Sequence, residues 1–200
     1  MIKNLIFDFG NVICRYVPRE LIAHYATGEE AETLFRAVYH DWESLDRGTT
    51  EYPDYIRAAK AMLPASLHAA ADAFFEDWYR QMPYIPGIEA LIRDAKAAGY
   101  RLFVLSNAPV CFADMIGYFS VTQYFDGILI SGSVRDEKPN LSIYRTALAR
   151  FCAMPSESVF LDDRPCNVDA ACALGIHGIL FDGDTEKLRT LTLPRLGVTL

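Results

Sequence analysis

The feature that most constrains this chain is an alternation of short apolar runs with helical stretches. Leu5–Phe7, Leu102–Leu105, Gly127–Ile130, Val159–Leu161 and Gly178–Phe181 read as buried strands. Pro86 opens a helix that runs through Leu91 and Ile92 to Gly99. Pro139-Asn140 opens another through Ile143, Tyr144, Ala147 and Leu148, and a third runs from Pro165 to Leu174 before Gly175. Such alternation implies right-handed crossovers and a parallel, doubly wound α/β sheet.

Residues 15–82 break the pattern. They hold apolar residues at helical spacing (Leu34, Val38, Trp42; Tyr55, Ile56, Ala59; Phe74, Phe75, Trp78) and no strand-like run. This predicts a small helical cap inserted after the first strand. The core is then 1–14 and 83–200, with Met82-Pro83-Tyr84-Ile85-Pro86-Gly87 as the return hinge.

Composition narrows the function. A net charge of −7 over 200 residues argues against nucleic acid, which needs a basic face, but leaves room for a small anionic ligand at a local positive site. The five cysteines are scattered without a Cys-x-x-Cys pair, so buried free thiols are expected rather than disulfides or zinc. No signal peptide is visible in the first ten residues, and no apolar run is long enough to span a bilayer. The expectation is a cytoplasmic protein with no membrane partner.

Four polar motifs sit at or beside strand ends. Asp8 follows the first strand, Ser106-Asn107 the second, Lys138-Pro139 precedes a helix, and Asp162-Asp163 follows Val159–Leu161. Singly, each is ordinary turn or helix-start composition. In a doubly wound sheet, however, these loops converge on one crevice. Together they supply what phosphoryl transfer needs: a carboxylate nucleophile at Asp8, a positive charge at Lys138 and donors from Ser106 and Asn107. Asp8, Asp163 and a main-chain carbonyl of the first turn offer three hard oxygens suited to Mg²⁺. Asp162 adds negative charge near the metal or orients a ligand water.

These motifs, as Ile6-Phe7-Asp8-Phe9-Gly10-Asn11-Val12, Leu105-Ser106-Asn107, Lys138-Pro139 and Phe160-Leu161-Asp162-Asp163-Arg164, resemble those of the haloacid dehalogenase-like superfamily. The likeness spans nearly the whole chain and looks closest to a sugar-1-phosphate phosphatase branch. It implies a Rossmann-like parallel sheet with helices on both faces, Asp8 as nucleophile, and Mg²⁺ on Asp8, Asp163 and the Gly10 carbonyl. Ser106 and Lys138 would hold the phosphoryl group of a small phosphorylated metabolite.

At Gly10 the chain departs from the commonest pattern, which has an aspartate there to protonate the leaving alcohol and activate water. Losing that group costs on the order of 10²–10⁴ in rate if nothing replaces it. A sugar-1-phosphate, whose anomeric oxygen leaves readily, tolerates the loss best. Two alternatives stand beside the phosphatase: a metal-independent haloacid dehalogenase, and a non-catalytic relative that binds a phosphorylated ligand. Arg15 is placed to reach substrate oxygens from the first turn. Trp42, Glu43 and Arg47 offer a stacking face and hydroxyl partners from the cap, with an ordinary amphipathic helix as the plainer reading. Asn167 either braces the metal site or bonds its helix end, and Cys166 reads as packing.

Overall fold

The computed structural model describes all residues from Met1 to Leu200. Five parallel strands, β1 (Asn4–Phe7), β2 (Arg101–Ser106), β3 (Gly127–Ile130), β4 (Ser158–Asp162) and β5 (His177–Leu180), lie in the order β3-β2-β1-β4-β5. The central strand is β1, paired with β2 through Asn4↔Arg101 to Phe7↔Val104 and with β4 through Asn4↔Ser158 to Phe7↔Leu161. Every residue of β1 and β4 is buried. Strands covered on both faces read as continuous apolar runs for that reason. The edge strand β5 starts one residue earlier than the sequence pattern suggests, because its pairing with β4 opens at Val159↔His177.

Strand alternation sorts the core into two layers. Leu5, Phe7, Leu102, Val104, Val159 and Leu161 face one side; Ile6, Phe103, Leu105 and Phe160 face the other. Between β1 and β2 the named elements are all helices: α1 (Pro18–Ile22), α2 (Gly28–Val38), α3 (Trp42–Asp46), α4 (Tyr52–Ala61), α5 (His68–Asp77) and then α6 (Ile88–Ala97). Helix α6 buries Ile88, Leu91, Ile92 and Ala95 on the first layer, an i, i+3, i+4, i+7 stripe. Gly99, with φ +90°, ends it in the left-handed conformation that glycine adopts at little cost. On the opposite layer sit α7 (Leu141–Phe151) through Ile143, Tyr144 and Ala147, and α8 (Pro165–Ala173) through Ala171.

The helices of residues 18–81 share an aromatic core in which Trp42 meets Trp78 edge-on at 5.4 Å. Trp78 in turn stacks on Phe112 of the sheet domain at 5.7 Å. The two connecting segments run side by side: Arg15 N–H donates to Pro83 O at 2.8 Å and Ile85 N–H to Ile13 O at 2.9 Å. All five cysteines are free, but only Cys14 is fully buried. Cys152, just after α7, and Cys166 and Cys172, on α8, are exposed. No helix is long and apolar enough to cross a membrane.

Candidate functional site

Asp8 emerges from the central strand at the carboxyl edge of the sheet, its N–H still bonded to Leu161 O at 2.8 Å. Its Oδ1 accepts from the Phe9 N–H at 2.7 Å and pairs with Lys138 Nζ at 2.8 Å. Lys138 is only 2% exposed and pairs a second time, with Asp162 Oδ2 at 2.7 Å. Asn107 fixes the lysine from behind. Its side-chain oxygen accepts the Lys138 N–H and its amide donates to the Lys138 carbonyl, both at 2.9 Å. Asn107 therefore acts mainly by holding Lys138, while Ser106, with its hydroxyl in only a long 3.5 Å contact, lines the cleft as a donor.

Asp162 has a different place from the one its neighbour suggests. It is fully buried; Oδ1 accepts from Arg164 N–H and Asn167 Nδ2 at 2.9 Å, and Oδ2 from Asn167 at 3.1 Å as well as from Lys138. With both oxygens taken, it orients and balances the lysine rather than serving a metal or its water. Asn167 accordingly braces Asp162. Strand alternation supplies the reason: Asp162 shares a face with Phe160, whose ring lies 5.3 Å from Lys138 Nζ, while Asp163 turns the other way.

Asp163 faces the first turn, where its Oδ2 accepts from Asn11 Nδ2 at 3.1 Å. Asn11 sits in the left-handed region at φ +54° and accepts the Tyr16 N–H on its Oδ1 at 3.0 Å. Carboxylate oxygens of Asp8, Asp162 and Asp163 lie within 4.8 Å of one another, and no main-chain donor engages the Gly10 carbonyl. Since Asp162 is saturated, the donors that fit a hard divalent cation are Asp8, Asp163 and the Gly10 carbonyl.

Electrostatics separate the charged groups. Burial pushes the Asp8 carboxyl up to about 6, with Lys138 pulling against it and Asp162 adding to it. Burial disfavours the Lys138 ammonium, but Asp8 and Asp162 outweigh that and hold its pKa above the ordinary value. The lysine is a fixed cation.

The surrounding cleft, of about 340 Å³, is lined almost wholly by polar groups, among them Asp8, Asn11, Glu43, Asp46, Ser106, Glu137, Lys138, Asp163 and Arg164. A smaller apolar recess adjoins it, walled by Phe9, Trp42, Trp78, Met82 and Phe112. Arg15 is not among these residues. It pairs with the exposed Glu20 and lines a separate groove with Val17, His24 and Arg80, because the chain has already turned toward Pro83 at this point. Trp42 belongs to the recess, Glu43 to the cleft. Arg47 bridges Glu43 (3.4 Å) and Glu137 (3.6 Å). Asp46 was not legible as a site residue. The glycine two positions on, where α3 ends, is the one signal that the segment makes a close approach.

A carboxylate on the central strand, a buried lysine paired with it and a cluster of acidic oxygens meet at one sheet edge, an arrangement suited to hydrolase chemistry. Residues 19–181 match the haloacid dehalogenase-like hydrolase family, and the chain belongs to it. A sesquiterpene phosphatase of Aspergillus oryzae is 27% identical over 94% of this chain and 92% of its own length. The ribulose-1,5-bisphosphate 5-phosphatase of Halopiger xanaduensis is 25% identical over 98% and 91%. Among solved structures, a haloacid dehalogenase-family enzyme of Bacteroides thetaiotaomicron in complex with magnesium and inorganic phosphate superposes with a TM-score of 0.69. It is 20% identical and covers 94% of this chain and 99% of its own.

Proposed function

We propose that this chain is a magnesium-dependent phosphatase acting on a small polar phosphomonoester through an aspartyl-phosphate on Asp8, with the helices of residues 15–82 as its cap. The observation that carries the reading is the asymmetry of the Asp8 carboxylate. Oδ1 is tethered by Phe9 N–H and Lys138, while Oδ2 has no partner and is free to attack phosphorus. Phosphatase relatives of nearly equal length, and a structural neighbour holding magnesium and phosphate, support it.

Asp8, Asp163 and the Gly10 carbonyl would hold Mg²⁺, which neutralises phosphoryl charge when bound. Lys138 keeps its proton and offers N–H to a phosphoryl oxygen; the Ser106 hydroxyl offers a second donor. Glu43, Glu137 and Asn11 give the cleft acceptors for substrate hydroxyls, which favours a sugar phosphate. The adjoining recess, at about 50 Å³, has no room for a long apolar chain.

The test is phosphate release across a metabolite panel with Mg²⁺, with and without chelator, beside Asp8→Asn. We expect loss on chelation and a fall of at least ~10⁴-fold in the variant. Release of halide from a haloacid despite chelator would point to a dehalogenase, and no release from any member to a binding protein. The panel carries an anomeric and a primary sugar phosphate. Hydrolysis of the anomeric ester alone would mean that the gap at Gly10 stays unfilled.

A further inference from the structure

We propose that Asp46, at the end of α3, is the general acid and base of this site, replacing the carboxyl that position 10 lacks. The proposal rests on the phosphatase reading above.

Placement comes first. The Asp46 carbonyl accepts from Ser131 Oγ at 2.5 Å, and Ser131 Oγ accepts the Ala108 N–H at 2.9 Å, so one hydroxyl ties Asp46 to the loop carrying Ser106 and Asn107. Two residues on, Gly48 has φ +65° and packs so closely that a Cβ there would lie 2.2 Å from the Gly132 carbonyl oxygen. The turn is thus seated on the sheet edge. Asp46 lines both the polar cleft that holds Asp8 and the apolar recess beside it.

Gly10 lines the same cleft and recess as Asp46, and position 10 has room for a side chain. A Cβ on Gly10 would touch nothing nearer than Tyr16 Cβ, at 3.5 Å. Asp46 Oδ1 is buried without any hydrogen-bond partner, so that oxygen is left unengaged even though the Trp42 indole favours the carboxylate. The nearby cation, Arg47, is engaged with Glu43 and Glu137. Those two acids are poorer candidates, since the Glu43 side chain is 83% exposed and both already share Arg47.

The surroundings suit an acid that works near neutrality. Burial, then Glu137 and Glu43, push the Asp46 carboxyl up to about 7 against the opposing effects of Trp42 and Arg47. The other ionisable groups that face it are Tyr16, Tyr39 and Tyr55 of the helical layer and Cys111 beyond β2, all held neutral by burial.

Asp8 Oδ attacks phosphorus and the bond to the leaving oxygen breaks; that oxygen takes the proton of the Asp46 carboxyl and departs as the alcohol. The Asp46 carboxylate then removes a proton from water, whose oxygen attacks the aspartyl-phosphate. The phosphorus–Asp8 bond breaks, inorganic phosphate leaves, and both side chains return to their starting states.

The experiment compares wild type with Asp46→Asn on an alkyl sugar phosphate and on 4-nitrophenyl phosphate, whose phenolate leaves without a proton. We expect kcat/KM to fall on the order of 10²–10⁴ on the alkyl ester and less than ~10-fold on the aryl ester. In the variant the aryl ester should also give a burst of one equivalent of nitrophenol, because hydrolysis of the aspartyl-phosphate has lost its base. Equal losses on both esters, or none on either, would overturn the proposal. Should Asp46→Asn fail to fold, wild type still answers. An alkaline limb near pH 7 on the alkyl ester alone supports Asp46, and the same limb on both substrates refutes it. A wild type inert on every ester fails the phosphatase reading itself, whereas an active wild type matched by an equally active variant fails only Asp46.

Discussion

The two sides of the cleft are built on opposite principles. On the sheet side, Lys138, Asp8, Asp162 and Asn167 form a closed ionic network in which both Asp162 oxygens are taken. On the helical side, Asp46 lies among aromatic rings with one oxygen unpartnered. The first arrangement fixes a charge in place; the second leaves a proton free to move. A site that must both hold a phosphoryl dianion and shuttle a proton needs each kind of surface, and here they come from separate layers of the fold.

The contrast predicts a ranking of effects. Asp162→Ala leaves the buried Lys138 ammonium with Asp8 alone and the Asn167 amide without an acceptor, and should cost about 3–5 kcal/mol in denaturant unfolding. A loss below 1 kcal/mol would mean that the network is looser than its distances indicate. Gly48→Ala forces the turn off Gly132 and should cost about 2 kcal/mol, with activity on alkyl esters falling more than activity on aryl esters. Unchanged thermal stability in that variant would show that the helical layer is not seated as described.

The pH dependence of the metal-free protein separates the layers next. Asp46 ionises near 3.8 in the unfolded chain and at about 7 in the fold, so the folded chain keeps a proton that the unfolded chain releases. Its contribution to stability is present below 3.8 and is lost as pH rises through 7. Asp8 acts with the same sign only up to about 6. Between these two values the slope should belong mainly to Asp46 and flatten in Asp46→Asn; a slope that survives the substitution places the proton elsewhere. The smallest effect is expected of Arg15→Ala, within about 0.5 kcal/mol in stability and with unchanged KM, since its pair with Glu20 is exposed and outside the cleft.

The same contrast explains what the sequence could show. Asp8, Ser106 and Asp163 were readable because each is tied to an apolar strand run, and Lys138 because it precedes a helix-opening proline in the matching order. That Asp162 would pair with Lys138 was not readable, because it depends on which side of β4 the lysine approaches. Asp46 was invisible for a deeper reason. Its seat is assembled from Ser131 and Gly132 and part of its surrounding charge from Glu137, all far away in the chain, so Gly48 alone marks the segment locally. Arg15 misled by proximity in sequence alone.

The charges lining the cleft carry one more consequence. Asp8, Glu43, Glu137 and Asp163, with Asp46 whenever it is ionised, stand against Lys138 and Arg164, and the lysine is already matched by Asp8 and Asp162. A phosphate dianion that arrives alone meets a repulsive field, whereas one that arrives after a divalent cation meets an attractive one. Each ligand then tightens the other by the same factor, as linkage requires. On this charge balance the cleft would act as a coincidence detector, taking up a phosphate ester well only with a divalent cation already in place.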